Sequence, residues 1–160
     1  MSIASSRARL LSHPAGWLAT GFGSGLSPIA PGTVGSAAAL LPWLLLRELP
    51  LIAYLLVVLA TFLAGIWAAG WVIRRIGQED PGVVVIDEFV GLWLALAAAP
   101  AGWLWALAGF ALFRFFDIAK PWPASWADRK LKGGFGAMVD DAFAGLYALL
   151  ALQAGAWWLN

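Results

Sequence analysis

The chain of 160 residues contains no cysteine, which excludes disulfides, thiolate metal centres and cysteine nucleophiles together. It has a single histidine, His13, placed beside Pro14 in a polar N-terminal segment and expected to be a solvated loop residue rather than a base. Charge is scarce as well: Asp, Glu, Lys and Arg make up 12% of the residues and the net charge is +1. No broad basic surface is present, so nucleic acid is not expected as a partner. No apolar core of the signal-peptide kind follows Arg7 and Arg9, so cleavage is not expected. The sequence shows no internal repeat and no low-complexity linker, and its length suits one domain over 1–160.

Apolar residues are what the chain has in excess, at 62%, with eleven tryptophans among them. That share lies far above the range of soluble domains, and belts of Trp at two lipid–water boundaries account for the aromatic content. A Gly- and Pro-rich run, GFGSGLSPIAPGTVGS over 21–36, is unsuited to a regular helix. It can offer backbone N–H groups to an anion, with Thr33 or Ser36 capping the helix that follows. Apolar segments are then expected at 34–46, at 51–73, over 89–113 divided into two helices by a hairpin at 100–102, and at 142–159. The run at 51–73 carries no charge and reaches the roughly 20 residues a bilayer core requires. The expected fold is all-α, a polytopic membrane helical bundle of about four to five membrane segments with a re-entrant or interfacial N-terminal loop.

Positive charge orients such a bundle. Arg7, Arg9, Arg74, Arg75, Arg129, Lys130 and Lys132 all fall in segments that share one face when five segments cross, and that face should be the cytoplasm. Trp17, Trp71, Trp122 and Trp126 are expected at this inner boundary, and Trp43, Trp103, Trp105, Trp157 and Trp158 at the outer one. The acids agree without being counted by the rule. Asp87 and Glu88 open the third segment, Asp117 closes the fourth, and Asp140 and Asp141 open the fifth.

The stretch 113–141 concentrates this chemistry, holding nine of the nineteen charged residues. Arg114, Asp117 and Lys120 recur every third residue, along one side of a helix that Pro121 should end. Gly133, Gly134 and Gly136 are expected to form a flexible turn leading into Asp140 and Asp141. Ionisable groups beside lipid-compatible segments are costly unless paired, hydrated or bound to metal, so the set is a functional candidate. Clustered carboxylates repel one another, a divalent cation relieves that, and an all-oxygen donor set suits Mg²⁺ or Mn²⁺. Arg114, Lys120, Arg129 and Lys132 could hold a phosphate. Acids, a hard cation and phosphate-holding bases point to phosphoryl chemistry with a metal-activated water.

The stretches at 21–36, DEFVGLW at 87–93, FRFFDIAKPWP at 113–123 and DRKLKGGFGAMVDDAFAG at 128–145 resemble the phosphatidylglycerophosphatase A family. The resemblance implies Mg²⁺-dependent hydrolysis of phosphatidylglycerol phosphate to phosphatidylglycerol and inorganic phosphate, at the cytoplasmic side of the bacterial inner membrane. It implies that Asp87, Glu88, Asp117, Asp140 and Asp141 share metal binding and catalysis, with Asp128 beside them. Ser24, Thr33 and Ser36 would join Arg114, Lys120, Arg129 and Lys132 around the phospholipid phosphate. Ala124 departs from the larger aliphatic residue expected after KPWP, which bears on packing rather than chemistry. Other phosphatase routes fail on residues: His13 alone cannot replace a histidine pair, and no Asp-x-Asp is present. A CDP-alcohol phosphotransferase would need further aspartates after Asp140-Asp141, and a small cation transporter would place its acids near mid-membrane. Those are the alternative readings.

Overall fold

The structure is a computed structural model that describes residues 10–159, so Arg7 and Arg9, which entered the orientation argument, lie outside the described residues. The described residues contain seven α-helices and no strand. They run as α1 (Pro14–Ala19), a 3₁₀ turn (Ser24–Leu26), α2 (Pro31–Leu46), α3 (Leu51–Ile76), α4 (Ile86–Ala95), α5 (Trp103–Ala119), α6 (Ala124–Lys130) and α7 (Gly133–Leu159).

Local chemistry explains most boundaries. Pro31 occupies the first turn of α2, where a missing N–H costs nothing. The uncharged run that builds α3 continues through Arg74 and Arg75 and stops at Gly77, which takes the left-handed conformation at φ 76. Lys120 caps α5 at φ 42 and Pro121 forbids a further turn. By length and composition α3 and α7 can each cross a membrane, being about 40 Å long at 1.5 Å per residue. The helices α2, α4 and α5 are shorter, so of the about four to five membrane segments expected from sequence, two are helices long enough to cross by this measure.

The burial pattern of α3 is inverted relative to a soluble protein. Gly65, Ala68, Ala69 and Gly70 face the interior, whereas Ile52, Leu56, Leu59, Leu63 and Trp67 are exposed. Large apolar residues outside and small ones inside are the arrangement that lets helices approach closely in lipid. At the centre lies α4, with eight of its ten residues buried. It packs against α7, α2, α3 and α5. The 89–113 run therefore gives one enclosed ten-residue helix and one outer helix, rather than two equivalent spans.

Four further expectations change. Gly133, Gly134 and Gly136 are helical and belong to α7; Asp140 and Asp141 lie two turns inside that helix instead of opening it. Two of these glycines allow close packing, since a Cβ on Gly134 would strike the Ile66 carbonyl of α3 and one on Gly136 the Leu131 carbonyl, while Gly133 takes a positive φ of 68. Neither Thr33 nor Ser36 caps α2, whose N-cap is Ala30 without a side-chain bond. Trp43 is buried at 3% exposure with Arg47 over its ring, so it does not mark a lipid boundary. His13 is no solvated loop residue: its Nδ1 accepts from the Ala15 N–H and its ring stacks on Trp71 at 4.4 Å.

A second close crossing joins α4 to α7. A Cβ on Gly145 would meet the Gly91 carbonyl, and one on Gly91 would meet Phe113. Gly145→Ala should therefore lower stability by about 1–3 kcal/mol through overpacking. Gly155 lies on the same helix, where an added Cβ would meet no atom within 4 Å. Gly155→Ala should be neutral or raise stability by about 0.5–1 kcal/mol. Thermal unfolding of both variants in detergent checks the contrast.

Candidate active site

The α4–α7 crossing fixes the site. Asp87 and Glu88 stand in the first turn of α4, and Asp140 and Asp141 on the facing part of α7. Asp117 comes from the last turn of α5 and Lys120 from its C-cap, while Asp128 is carried by α6. Together they line a cleft of about 280 Å³, whose wall also includes Pro31, Gly32, Glu79, Asp80 and Lys132. Eight of the nine acidic residues of the chain are on this wall, against two lysines. Glu48, the ninth, pairs with Arg47 at 3.5 Å.

Two cations hold four of these acids. Arg114 forms an ion pair with Glu88 and another with Asp117 at 2.8 Å. Its guanidinium also reaches Ser36 Oγ at 3.5 Å. Ser36 is fully buried and donates to Glu88 Oε2 at 2.7 Å. Lys120 pairs with Asp140 and with Asp128, the latter at 2.9 Å. Burial disfavours the Lys120 ammonium, but the Asp140 and Asp128 carboxylates outweigh it and raise its pKa above the ordinary lysine value. Asp87 accepts the Glu88 N–H at 3.0 Å. Asp87 and Asp141 form no ion pair among the described residues, yet both feel the charges of Glu88, Asp117 and Asp140.

The sequence-predicted residues thus fall into three groups. Asp87, Glu88, Asp117, Lys120, Asp128, Lys132, Asp140 and Asp141 share the cleft wall. Arg114 and Ser36 stand behind it, occupied with Glu88. Ser24, Thr33 and Arg129 are on neither. Ser24 Oγ donates to the Gly21 carbonyl at 2.8 Å, and Thr33 and Arg129 are exposed. The N–H groups of residues 21–27 bond to carbonyls of residues 17–24, so the glycine loop does not present them to an anion. What the N-terminal region brings to the cleft is the first turn of α2, whose N–H groups have no intrahelical partner. Nothing in the sequence singles out Gly32. A Cβ there would strike Glu88 Oε1 and lie 3.4 Å from the Arg114 guanidinium, and contacts with residues so distant in the chain are announced by no local pattern.

A divalent cation fits this donor set. All the wall acids offer oxygen, and Asp140 Oδ1 is buried with no hydrogen-bond partner. Among the described residues no three carboxylates stand together as a ready cage. Mg²⁺ does not require one, since it commonly takes one or two carboxylates and retains water. Asp140, with Asp141 beside it on α7 or Asp87 on α4, supplies carboxylates in that number.

Residues 17–156 match the model of the phosphatidylglycerophosphatase A family. A phosphatidylglycerophosphatase A of Escherichia coli (strain K12) is 46% identical over 145 residues, covering 90% of this chain and 84% of the relative. One from Haemophilus influenzae is 45% identical over 151 residues, 93% of each chain. A Bacteroides thetaiotaomicron protein, whose name proposes phosphatidylinositol-3-phosphatase activity, is 47% identical over 149 residues, 88% of this chain and 92% of the relative. No solved structure matches the chain.

Removal of Arg114 would leave Glu88 and Asp117 as buried, uncompensated charges. Arg114→Ala should cost about 3–5 kcal/mol of stability. Lys120→Ala leaves one buried acid, Asp140, and the exposed Asp128 unpaired, so it should destabilise as well, but by less than Arg114→Ala, which strips two buried acids. Melting temperatures of the two purified variants test this difference.

Proposed function

The chain belongs to the phosphatidylglycerophosphatase A family, and from that membership we propose that it hydrolyses phosphatidylglycerol phosphate to phosphatidylglycerol and inorganic phosphate with Mg²⁺. The observation that carries the reading is the cleft: eight acids and a buried, unpartnered Asp140 oxygen would repel a phosphate unless a cation entered with it. When bound, Mg²⁺ supplies that positive charge and favours deprotonation of an attacking water.

The chain's own groups have separable tasks. Lys120 sits on the wall with an exchangeable ammonium and binds the monoester phosphate, holding it in place as charge shifts to the departing oxygen. Asp87 and Asp141, without a cation partner among the described residues, are the acids placed to take the proton from water. The water oxygen then bonds to phosphorus, the P–O bond to the glycerol breaks, and the departing alkoxide receives the proton taken from the water, giving phosphatidylglycerol and inorganic phosphate. Asp140 would hold the cation with whichever of Asp87 and Asp141 does not take the proton, and Asp128 orients Lys120. Glu88, held by Ser36 and Arg114, and Asp117, held by Arg114, keep the wall in register. On this reading Arg114 and Ser36 are positioning residues and do not touch the phosphate.

The membrane placement follows the same logic. Arg74, Arg75, Arg129 and Lys130 are exposed and lie in α3 and α6 at the ends flanking the cleft, and an excess of Lys and Arg marks the cytoplasmic side. The bundle is thus set in the inner membrane with its cleft facing the cytoplasm. There α3 and α7 cross, and the shorter helices complete the multi-pass bundle.

Phosphate release from phosphatidylglycerol phosphate by the purified chain should vanish on EDTA treatment and return with Mg²⁺. Asp140→Asn and Asp141→Asn keep volume and remove charge, and should each slow turnover by about 100-fold or more while the protein still inserts. Full turnover in metal-free buffer, or near-normal rates in both variants, would contradict the assignment. Phosphatidylinositol 3-phosphate offered as a competing substrate measures how far the head group is discriminated.

A further inference from the structure

One charged contact at the cleft is unlike the others. Lys132 and Glu79 both line the wall, and their ion pair at 2.7 Å joins the α3–α4 loop to the start of α7 across the mouth. Both side chains are exposed, at 60% and 75%, where such pairs contribute about 0–1 kcal/mol. Arg114 and Lys120 each hold two acids; Lys132 holds one, weakly, in water.

The substrate proposed above carries two phosphates of different kinds. The terminal monoester is the one removed, and a glycerol separates it from a diester that remains in the product. With the monoester at Lys120, the diester rests elsewhere on the same wall, where Lys132 is the other cation among the described residues. Lys132 precedes α7 by one residue and Asp140 lies eight residues further on, about 12 Å along the helix. The flexible four-carbon stem of lysine can close part of that gap. A wall otherwise so rich in acid needs a cation wherever a second phosphate rests.

We propose that Lys132 binds the diester phosphate of the lipid, exchanging its Glu79 partner for that phosphate, and so selects phosphatidyl head groups. This rests on the lipid phosphatase reading of the cleft. The lysine acts in binding and takes no part in the bond-breaking step. Glu79 acts as the resident competitor that the diester displaces.

Two halves of the substrate separate the subsites. Short-chain dioctanoyl phosphatidylglycerol keeps the diester and lacks the monoester; inorganic phosphate is the reverse. Their inhibition constants and direct binding by calorimetry should be measured on the purified chain with Mg²⁺. Lys132→Ala and Lys132→Gln should weaken phosphatidylglycerol about tenfold, the scale of one charge-assisted contact, and leave inorganic phosphate unchanged. Lys132→Arg should restore binding, and Glu79→Gln should tighten it. The proposal is overturned if the Ala and Gln variants bind phosphatidylglycerol normally, or if both ligands weaken alike. If the wild type releases no phosphate from phosphatidylglycerol phosphate, the lipid phosphatase reading fails instead, and direct binding of phosphatidylglycerol still decides the Lys132 contact.

Discussion

The structure depends on how closely α4 and α7 can approach. Gly145 and Gly91 meet backbone to backbone, a separation no side chain would permit, and the acids one turn away on each helix are drawn together by it. The same helix uses Gly134 against Gly70 to close on α3. Lipid supplies little hydrophobic drive between helices, so tight backbone packing of small residues holds such a bundle together. The glycines that weaken α7 as an isolated helix are therefore the ones that place Asp140 and Asp141 opposite Asp87 and Glu88.

Bringing those acids together creates an electrostatic demand that the chain meets only in part. Buried carboxylates are tolerated when paired and hydrogen-bonded. Glu88 and Asp117 satisfy that condition through Arg114, and Ser36 supplies a further donor to Glu88. Asp140 satisfies it through one oxygen only. Asp87 has a backbone N–H as donor, and neither it nor Asp141 has a cation partner among the described residues. Met and unmet acids line the same cleft, and under the proposed function the unmet remainder is the demand that a bound cation would answer.

Much of this was legible in the sequence, for identifiable reasons. Helix α3 announces itself because 51–73 is uncharged and long enough to span, and the convergence of Asp87, Asp117 and Asp140 follows from counting Lys and Arg at segment ends. The four motif stretches named the family, whose model covers 17–156. What sequence could not show depends on contacts between distant residues. Gly133–Gly136 read as a turn because glycine is a poor helix former, and only the facing carbonyls of Ile66 and Leu131 reveal why they are helical. Ser36 read as a cap or a phosphate contact because its partner Glu88 lies 52 residues away. Trp43 read as an interfacial belt residue because its burial depends on core residues far from it in the chain.

The two kinds of base around the acids are not interchangeable, and their positions follow from that. Arg114 is a planar, permanently charged fork, suited to holding several oxygens in fixed geometry, and it stands behind the wall with Glu88, Asp117 and Ser36. Lys120 is a point charge on a flexible stem, suspended from a left-handed cap at φ 42 and open to the cleft. A guanidinium in its place would bind Asp140 and Asp128 in a fixed fork and exchange them less readily. An ammonium behind the wall could not hold Glu88 and Asp117 in one rigid arrangement. The chain therefore fixes the geometry of its acids with arginine, and under the proposed function it leaves to lysine the charge that would bind and release a phosphate.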